Sequence, residues 1–374
     1  MCTISFVNRS TLSVPKATRW KLQTIEQAPP KWLLNKRARI AYAAIIITFL
    51  KSGFRITSNL DTFRDSITSF RATAYWRTSL ALPLFANLFN LRSQVSWIIA
   101  YAALALCLVL LLLAYYYIFD RTISGLFVCT CLASSQVLVV AFTEIGRFDI
   151  FVLLGSLLVG LFDSRILIVI GASMIALGNF EHFIVIGITL TFLLPSCDLR
   201  HRPNFYYFSF VLTAITHLAI QKFYFGRIVL FENDSRATWL SNNALTFSLG
   251  NLTSLPVLLF SCFGTLWLVV ARIIQSSDRI KVALMRFSGL ILIPLLLTIA
   301  TADGTRVFVS LSTVGLALMT RTLAQRESSH EELLSKLGAY VFLATLFMPA
   351  LNVEVLGKIK QPYVDLTRFF FHMS

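Results

Sequence analysis

Acidic and basic side chains recur together in five short stretches of this sequence. Asp61 and Asp65 stand four residues apart, on one face of any helix they form, among Arg55, Arg64, Arg71 and Arg77. Glu144 and Arg147 have the i, i+3 spacing that brings side chains together on a helix, and Asp149 follows two residues later. Glu181 adjoins His182; Glu232, Asp234 and Arg236 share a fourth stretch with Trp239, Asn242 and Asn243; Asp303-Gly304-Thr305-Arg306 is the last. A carboxylate can take the proton of a hydroxyl. Acids and amides bond hydroxyl-rich ligands while an indole covers a ring face. The arginine fork matches the oxygens of a phosphate. Each stretch reads equally well as a salt-bridged pin between helix ends, so what matters is whether they meet.

The elements that position these residues are membrane helices. Of the 374 residues, 56% are hydrophobic and only 14% charged, with a mean hydropathy of +0.73. A soluble fold cannot cover its surface with so little polar material, which excludes a water-soluble enzyme. The net charge of +15 would suggest nucleic acid in a soluble chain. Here the apolar runs between the charges make the lipid bilayer the partner, with no nucleic acid. The six cysteines mostly lie inside apolar runs and outline neither a disulfide framework nor a metal cluster; Cys129 and Cys131 read as filler. Walker A, GxGxxG, HExxH and GxSxG patterns are all missing, which disfavours ATP-driven transport by this chain alone.

Residues 1–38 lack an apolar core of the signal-peptide kind and carry many basic groups against the single acid Glu26, as expected of a cytoplasmic leader. Apolar runs then fall at about 39–55, 95–119, 122–142, 150–162, 166–178, 183–194, 204–225, 254–271, 287–300, 307–320 and 338–350. The fold class is therefore an all-α polytopic membrane protein with about eleven transmembrane helices in one domain, 39–350, and a tail at 351–374. Several runs span only about 20 Å, against a hydrocarbon core of roughly 30 Å, so they must borrow their polar flanks. Charge decides the doubtful join. If 166–194 is a hairpin turning near Gly178-Asn179-Phe180-Glu181-His182, the cytoplasmic side holds 19 Lys and Arg against 12 outside; as one span the division is 16 to 15. The positive-inside rule favours the hairpin and a cytoplasmic N-terminus.

That topology sends all five acidic stretches to the extracytoplasmic face. The first connection, 56–94, reads as an interfacial helix followed by an apolar piece, Leu80 to Asn90, too short to cross and containing Pro83. The second long connection, 226–253, reads as a polar loop. On the other face, Arg321 to Lys336 reads as a solvated cytoplasmic segment. His217 and Lys222 are five apart and share no helix face; His217 reads as a hydrogen-bonded core residue. The sequons at Asn233 and Asn251 would be acceptors only in a secretory-pathway membrane, and nothing in the sequence argues for one.

The long outer segment with Asp61 and Asp65, the following YWRTSLALPLFANLF, the GRFD at Gly146 to Asp149, the hairpin GNFEHF and the late DGTR together resemble bacterial polytopic envelope-polysaccharide proteins. The likeness is to membrane glycosyltransferases of the GT-C type that use polyprenyl-phosphate-linked sugars, and it departs from them in having no adjacent acidic pair. The resemblance implies an inner (plasma) membrane enzyme that transfers sugar at the extracytoplasmic face. It implies Asp61 as base, with Asp65 as alternative or orienting residue, and Arg147 and Arg306 on phosphate. Glu144, Asp149, Glu181, His182, Glu232 and Asp303 would then bind sugar or brace the arginines. No cofactor is fixed by it, and the need for a divalent metal stays open, as does the oligomeric state. An O-antigen-class polymerase, a secondary transporter or flippase, an acyltransferase using His182 and a noncatalytic assembly subunit are the competing readings.

Overall fold

The computed structural model describes residues 38–53, 79–197, 203–226, 228, 232–233, 235–277, 279–354 and 358–360. Asp61, Asp65 and Asp234 lie outside the described residues, as do the basic leader to residue 37 and the tail beyond residue 360. The described chain is helical except for one small hairpin. Its helices are α1 (Ala38–Ser52), α2 (Ala81–Leu88), α3 (Gln94–Ala114), α4 (Ile123–Ala133), α5 (Gln136–Thr143), α6 (Asp149–Leu161), α7 (Arg165–Gly178) and α8 (Phe180–Leu193). They continue with α9 (Pro203–Phe225), α10 (Arg236–Thr253), α11 (Leu255–Phe263), α12 (Trp267–Gln275), α13 (Ile280–Phe287), α14 (Ile293–Ile299), α15 (Gly304–Arg326) and α16 (Glu331–Phe347). Strands β1 (Asn352–Glu354) and β2 (Lys358–Lys360) pair antiparallel, Val353 opposite Ile359.

Four stretches are long and apolar enough to cross a membrane: Gln94–Phe119, Leu255–Gln275, Ile280–Ile299 and Gly304–Arg326. A fifth arises if α4 and α5, bent by 45° at Ser134–Ser135, count as one broken span. Helices α6, α7 and α8 are apolar but short; the 13 residues of α6 make about 20 Å.

Helix α15 is the axis of the bundle. Near its start Arg306 meets Asp149 at the start of α6, and near its end Arg321 bonds the Leu161 carbonyl at 3.0 Å and Asp163 at 2.9 Å. The two helices therefore run parallel. Glycines let backbones touch here: a Cβ on Gly160 would stand 2.7 Å from the Ala317 methyl, and one on Gly155 would stand 2.5 Å from the Gly171 carbonyl. Gly178 abuts Phe151 and Val152, so α7 runs back against α6, and α8 then descends until Ser196 reaches Met319. The chain between 166 and 194 is thus a hairpin. Asn179 makes the reversal, ending α7 and accepting a hydrogen bond from the His182 amide at the start of α8.

The bundle has two unlike ends. At one, arginines close helix C-termini: Arg286 bonds the Ile273 carbonyl (2.5 Å) and Ser276, Arg326 bonds the Ser196 carbonyl, and Arg272 pairs with Glu327. The solvated reading of Arg321 to Lys336, as loop or helix, fails at Arg321, which is only 2% exposed, whereas Gln325, Arg326 and residues 328–333 are exposed. The other end carries mixed charge. Helix α10 lies along it, with Arg236 held at its first turn and Asn251 bonding the Thr298, Ile299 and Thr301 carbonyls near its last. The segment expected to be a loop at 226–253 is therefore helical from Arg236, started by the Ser235 side chain, which accepts from the Thr238 amide. The supposed tail begins as structure too, since the Val353 amide bonds Thr305 and Val353 is buried.

Candidate functional site

Three arginines and four carboxylates from separate parts of the chain meet at the mixed-charge end. Arg306, on the first turn of α15, reaches Asp149 at 2.9 Å and Asp303 at 2.5 Å. Arg147 reaches Asp303 at 3.5 Å and Glu144 at 3.0 Å. Ser310, one turn further along α15, donates to the other oxygen of Asp149 at 3.3 Å. Asp149 is only 2% exposed, so its charge depends on these two partners. Arg236 reaches Glu181 at 3.4 Å and Ser79 at 3.5 Å. Phe148 joins the halves of the cluster, its ring facing the Arg236 guanidinium at 4.8 Å and that of Arg306 at 6.0 Å.

Each partner is placed by a local feature of sequence. Glu144 and Arg147 do meet, but not along a helix as their spacing predicts: α5 stops at Thr143, and Gly146 turns the link with φ 101°. Trp97 of α3 secures that link through a hydrogen bond to the Gly146 carbonyl. Asp303 precedes α15, and its bond to Arg306 is the i, i+3 staple foreseen across the turn. Glu181 and His182 are the first turn of α8 after the Asn179 reversal. The His182 ring is within electrostatic reach of Asp149, Arg236 and Arg306. Glu232 sits beside the start of α10, where its carbonyl accepts from Ser235 and Thr238.

The two carboxylates in the links are driven apart in acidity. Burial pushes Glu144 above the ordinary carboxylate range, against the opposing pull of Arg147 and Arg306. Burial acts on Asp303 as well, but the charges and hydrogen bonds of Arg306 and Arg147 outweigh it and hold that carboxyl below its usual value. The two carboxyls of one cluster are thus shifted in opposite directions by their surroundings. Three guanidinium groups face four carboxylates, so an incoming phosphate would share donors with carboxylates instead of entering a net-positive bowl.

The structure therefore brings together Glu144, Arg147, Asp149, Asp303 and Arg306, and places Glu181 and His182 against the same cluster through Arg236 and Phe148. Sequence reasoning named Arg236 within a charged stretch but gave it no role in the site, and passed over Phe148 and Ser310 as site residues. A signal for Arg236 existed: a cation on the first turn opposes the helix dipole, so its place there calls for another partner. Among the described residues no three His, Cys, Asp or Glu side chains gather as metal ligands. Cys129 and Cys131 are buried thiols within α4.

Fold and cluster together define a helical bundle of membrane type with a charged network at one end. No protein family, curated protein or solved structure matches the chain.

Proposed function

We propose that this protein is a membrane-embedded glycosyltransferase that uses a polyprenyl-phosphate-linked sugar at the extracytoplasmic face of a bacterial plasma membrane. The convergence of Arg147, Arg236 and Arg306 with Glu144, Asp149, Glu181 and Asp303 carries the reading, because it gathers anion-binding and hydroxyl-binding groups at one end of the helical bundle. The capping arginines at the opposite end support a cytoplasmic assignment for that end, and with it the eleven-span topology with the N-terminus inside.

In this scheme a carboxylate, Asp61 or Asp65, takes the acceptor's hydroxyl proton while that oxygen attacks the anomeric carbon. The bond from that carbon to the phosphate oxygen breaks, and polyprenyl phosphate leaves as an anion held by Arg147 and Arg306. Because the leaving group departs already ionised, one base suffices where glycosidases use two carboxylates. Glu144, Asp149, Glu181, His182, Glu232 and Asp303 bind sugar hydroxyls or brace the arginines.

The test is mass analysis of lipid-linked glycans in cells producing the variants at matched levels. Loss of product is expected with Asp61→Asn or Asp65→Asn, and with Arg306→Ala but not Arg306→Lys. Unchanged glycans in both aspartate variants would sink the base assignment. A polysaccharide polymerase shares the face and predicts accumulation of single repeat units instead of a truncated glycan. A transporter or flippase is favoured by one observation, the broken helices α4–α5 and α11–α12, and disfavoured by the one-sided charge cluster.

Orientation has its own check. A cysteine at exposed Asn242 on α10 should react with an impermeant maleimide added to intact cells, whereas one at exposed Ser329 should react only after lysis. The reverse pattern would place the cluster in the cytoplasm.

A further inference from the structure

Two helices are interrupted side by side within the bundle, away from the charged cluster. The α4–α5 break at Ser134–Ser135 faces the α11–α12 break, where Gly264 adopts φ 54°. Thr265 donates to the Ser134 carbonyl at 3.1 Å, which joins the two interruptions. Interrupted backbone at membrane depth persists only where protein or a polar cavity satisfies it, and facing helix breaks are where membrane proteins place small polar ligands.

The carbonyls freed by these interruptions are consumed by the protein. Thr48 of α1 donates to the Ala133 carbonyl at 2.9 Å, Ser135 to Leu132 at 2.6 Å, and Lys51 to the Thr345 and Met348 carbonyls at the end of α16. Thr345 in turn bonds Thr265. Between them is a cavity of about 30 Å³ lined by Thr48, Lys51, Ser134, Gln136, Thr265 and Thr345, room for one or two water-sized groups. Ser134 and Gln136 are 7% and 6% exposed. Among the described residues the Ser134 hydroxyl and the Gln136 amide oxygen have no partner. Burying such groups unbonded costs stability, so the site is built to hold something.

The sign of that ligand follows from what remains to bond it. The donors are the Lys51 ammonium, which keeps one proton beyond its bonds to the Thr345 and Met348 carbonyls, the Ser134 hydroxyl, and the Gln136 amide once its NH2 is turned inward, while the dipole of α5 favours negative charge at its start. Lys51 is the charged group at the cavity, and no carboxylate among the described residues lines it. We propose that this cavity binds a single halide-sized inorganic anion between α1, the start of α5, the α11–α12 break and the end of α16. The site is separate from the glycosyl-transfer reading and stands or falls without it.

The experiment uses the purified full chain in nanodiscs, its thermal unfolding followed in sodium chloride and in sodium gluconate at equal ionic strength. Chloride should raise the midpoint saturably, by roughly 5 °C at large excess over Kd, with gluconate, too large for the cavity, leaving it flat. Lys51→Met and Gln136→Leu should each abolish the chloride-specific rise, and Lys51→Arg should keep part of it. Equal responses to chloride and gluconate in the unaltered protein would overturn the proposal, as would a chloride-specific rise that survives Lys51→Met. Should these variants fail to fold, bromide anomalous scattering from the unaltered protein decides: a peak within hydrogen-bond reach of Lys51 supports the site, and ordered water alone overturns it.

Discussion

Replacing Arg306 with alanine is expected to destabilise the protein by about 3–5 kcal/mol, the usual consequence of leaving one partner of a buried ion pair without the other. The partner left behind is Asp149, 2% exposed and otherwise bonded by Ser310 alone among the contacts of its carboxylate described above. Arg306 also holds Asp303, so the loss extends to the link before α15. A coupled substitution separates charge from packing. In Arg306→Met with Asp149→Leu no isolated anion remains, and apolar groups of similar volume often replace a buried pair at little cost. The double variant should therefore recover at least half of the loss seen in Arg306→Ala. Reversible denaturant unfolding in mixed micelles measures all the terms. A loss below about 1 kcal/mol for Arg306→Ala would mean that Asp149 is hydrated, and the cluster would then be a set of surface pins.

The second large effect belongs to a single methyl group. In Gly155→Ala the added carbon would stand 2.5 Å from the Gly171 carbonyl oxygen and 2.9 Å from Ile175, so α6 and α7 must separate. Overpacking of this kind costs about 1–3 kcal/mol, and the upper end is expected because the obstacle is backbone, which cannot rotate away. Gly187 in α8 supplies the contrast. A methyl there would meet only Phe210, at an ordinary 3.5 Å, so Gly187→Ala should instead gain roughly 0.5–1 kcal/mol from reduced backbone freedom in the unfolded chain. Unfolding midpoints of opposite sign for the two variants are the expected result. A neutral Gly155→Ala would show that the two helices do not touch as closely as their glycines allow.

The parts of this architecture legible in sequence were those that local chemistry dictates. The hairpin at Asn179 could be read because the count of basic residues favoured a reversal there, 19 inside against 12 outside, over a single span with 16 against 15. The apolar runs could be located, yet their interruptions could not: Ser134–Ser135 and Gly264 lie inside continuous hydrophobic stretches, where hydropathy records composition and is blind to direction. Helix α10 was missed for the opposite reason. Its amides and serines lower its hydropathy to that of a loop, although Ser235 is a good helix starter and Leu245, Leu249 and Leu252 repeat at helical spacing. At the charged cluster the local staple of Asp303 with Arg306 was visible. The bond from Arg306 to Asp149 spans 157 positions and depends on α6 and α15 running parallel, which no local spacing encodes. Arg321 was misjudged because a basic residue near the end of an apolar run is usually wet. Here it is drawn inward by the unbonded carbonyl of Leu161 and by Asp163.

The enclosure of α15 has a consequence for how the protein is made. Its most apolar window is wholly buried, yet with a hydropathy of 1.5 it is the least oily of the four long spans, the others reaching 2.2 to 2.7. A segment that polar gains little by entering lipid alone. Its entry is therefore favoured once the earlier helices stand in the bilayer as a receptive cradle when the ribosome delivers α15, which ties that entry to the closure of the bundle.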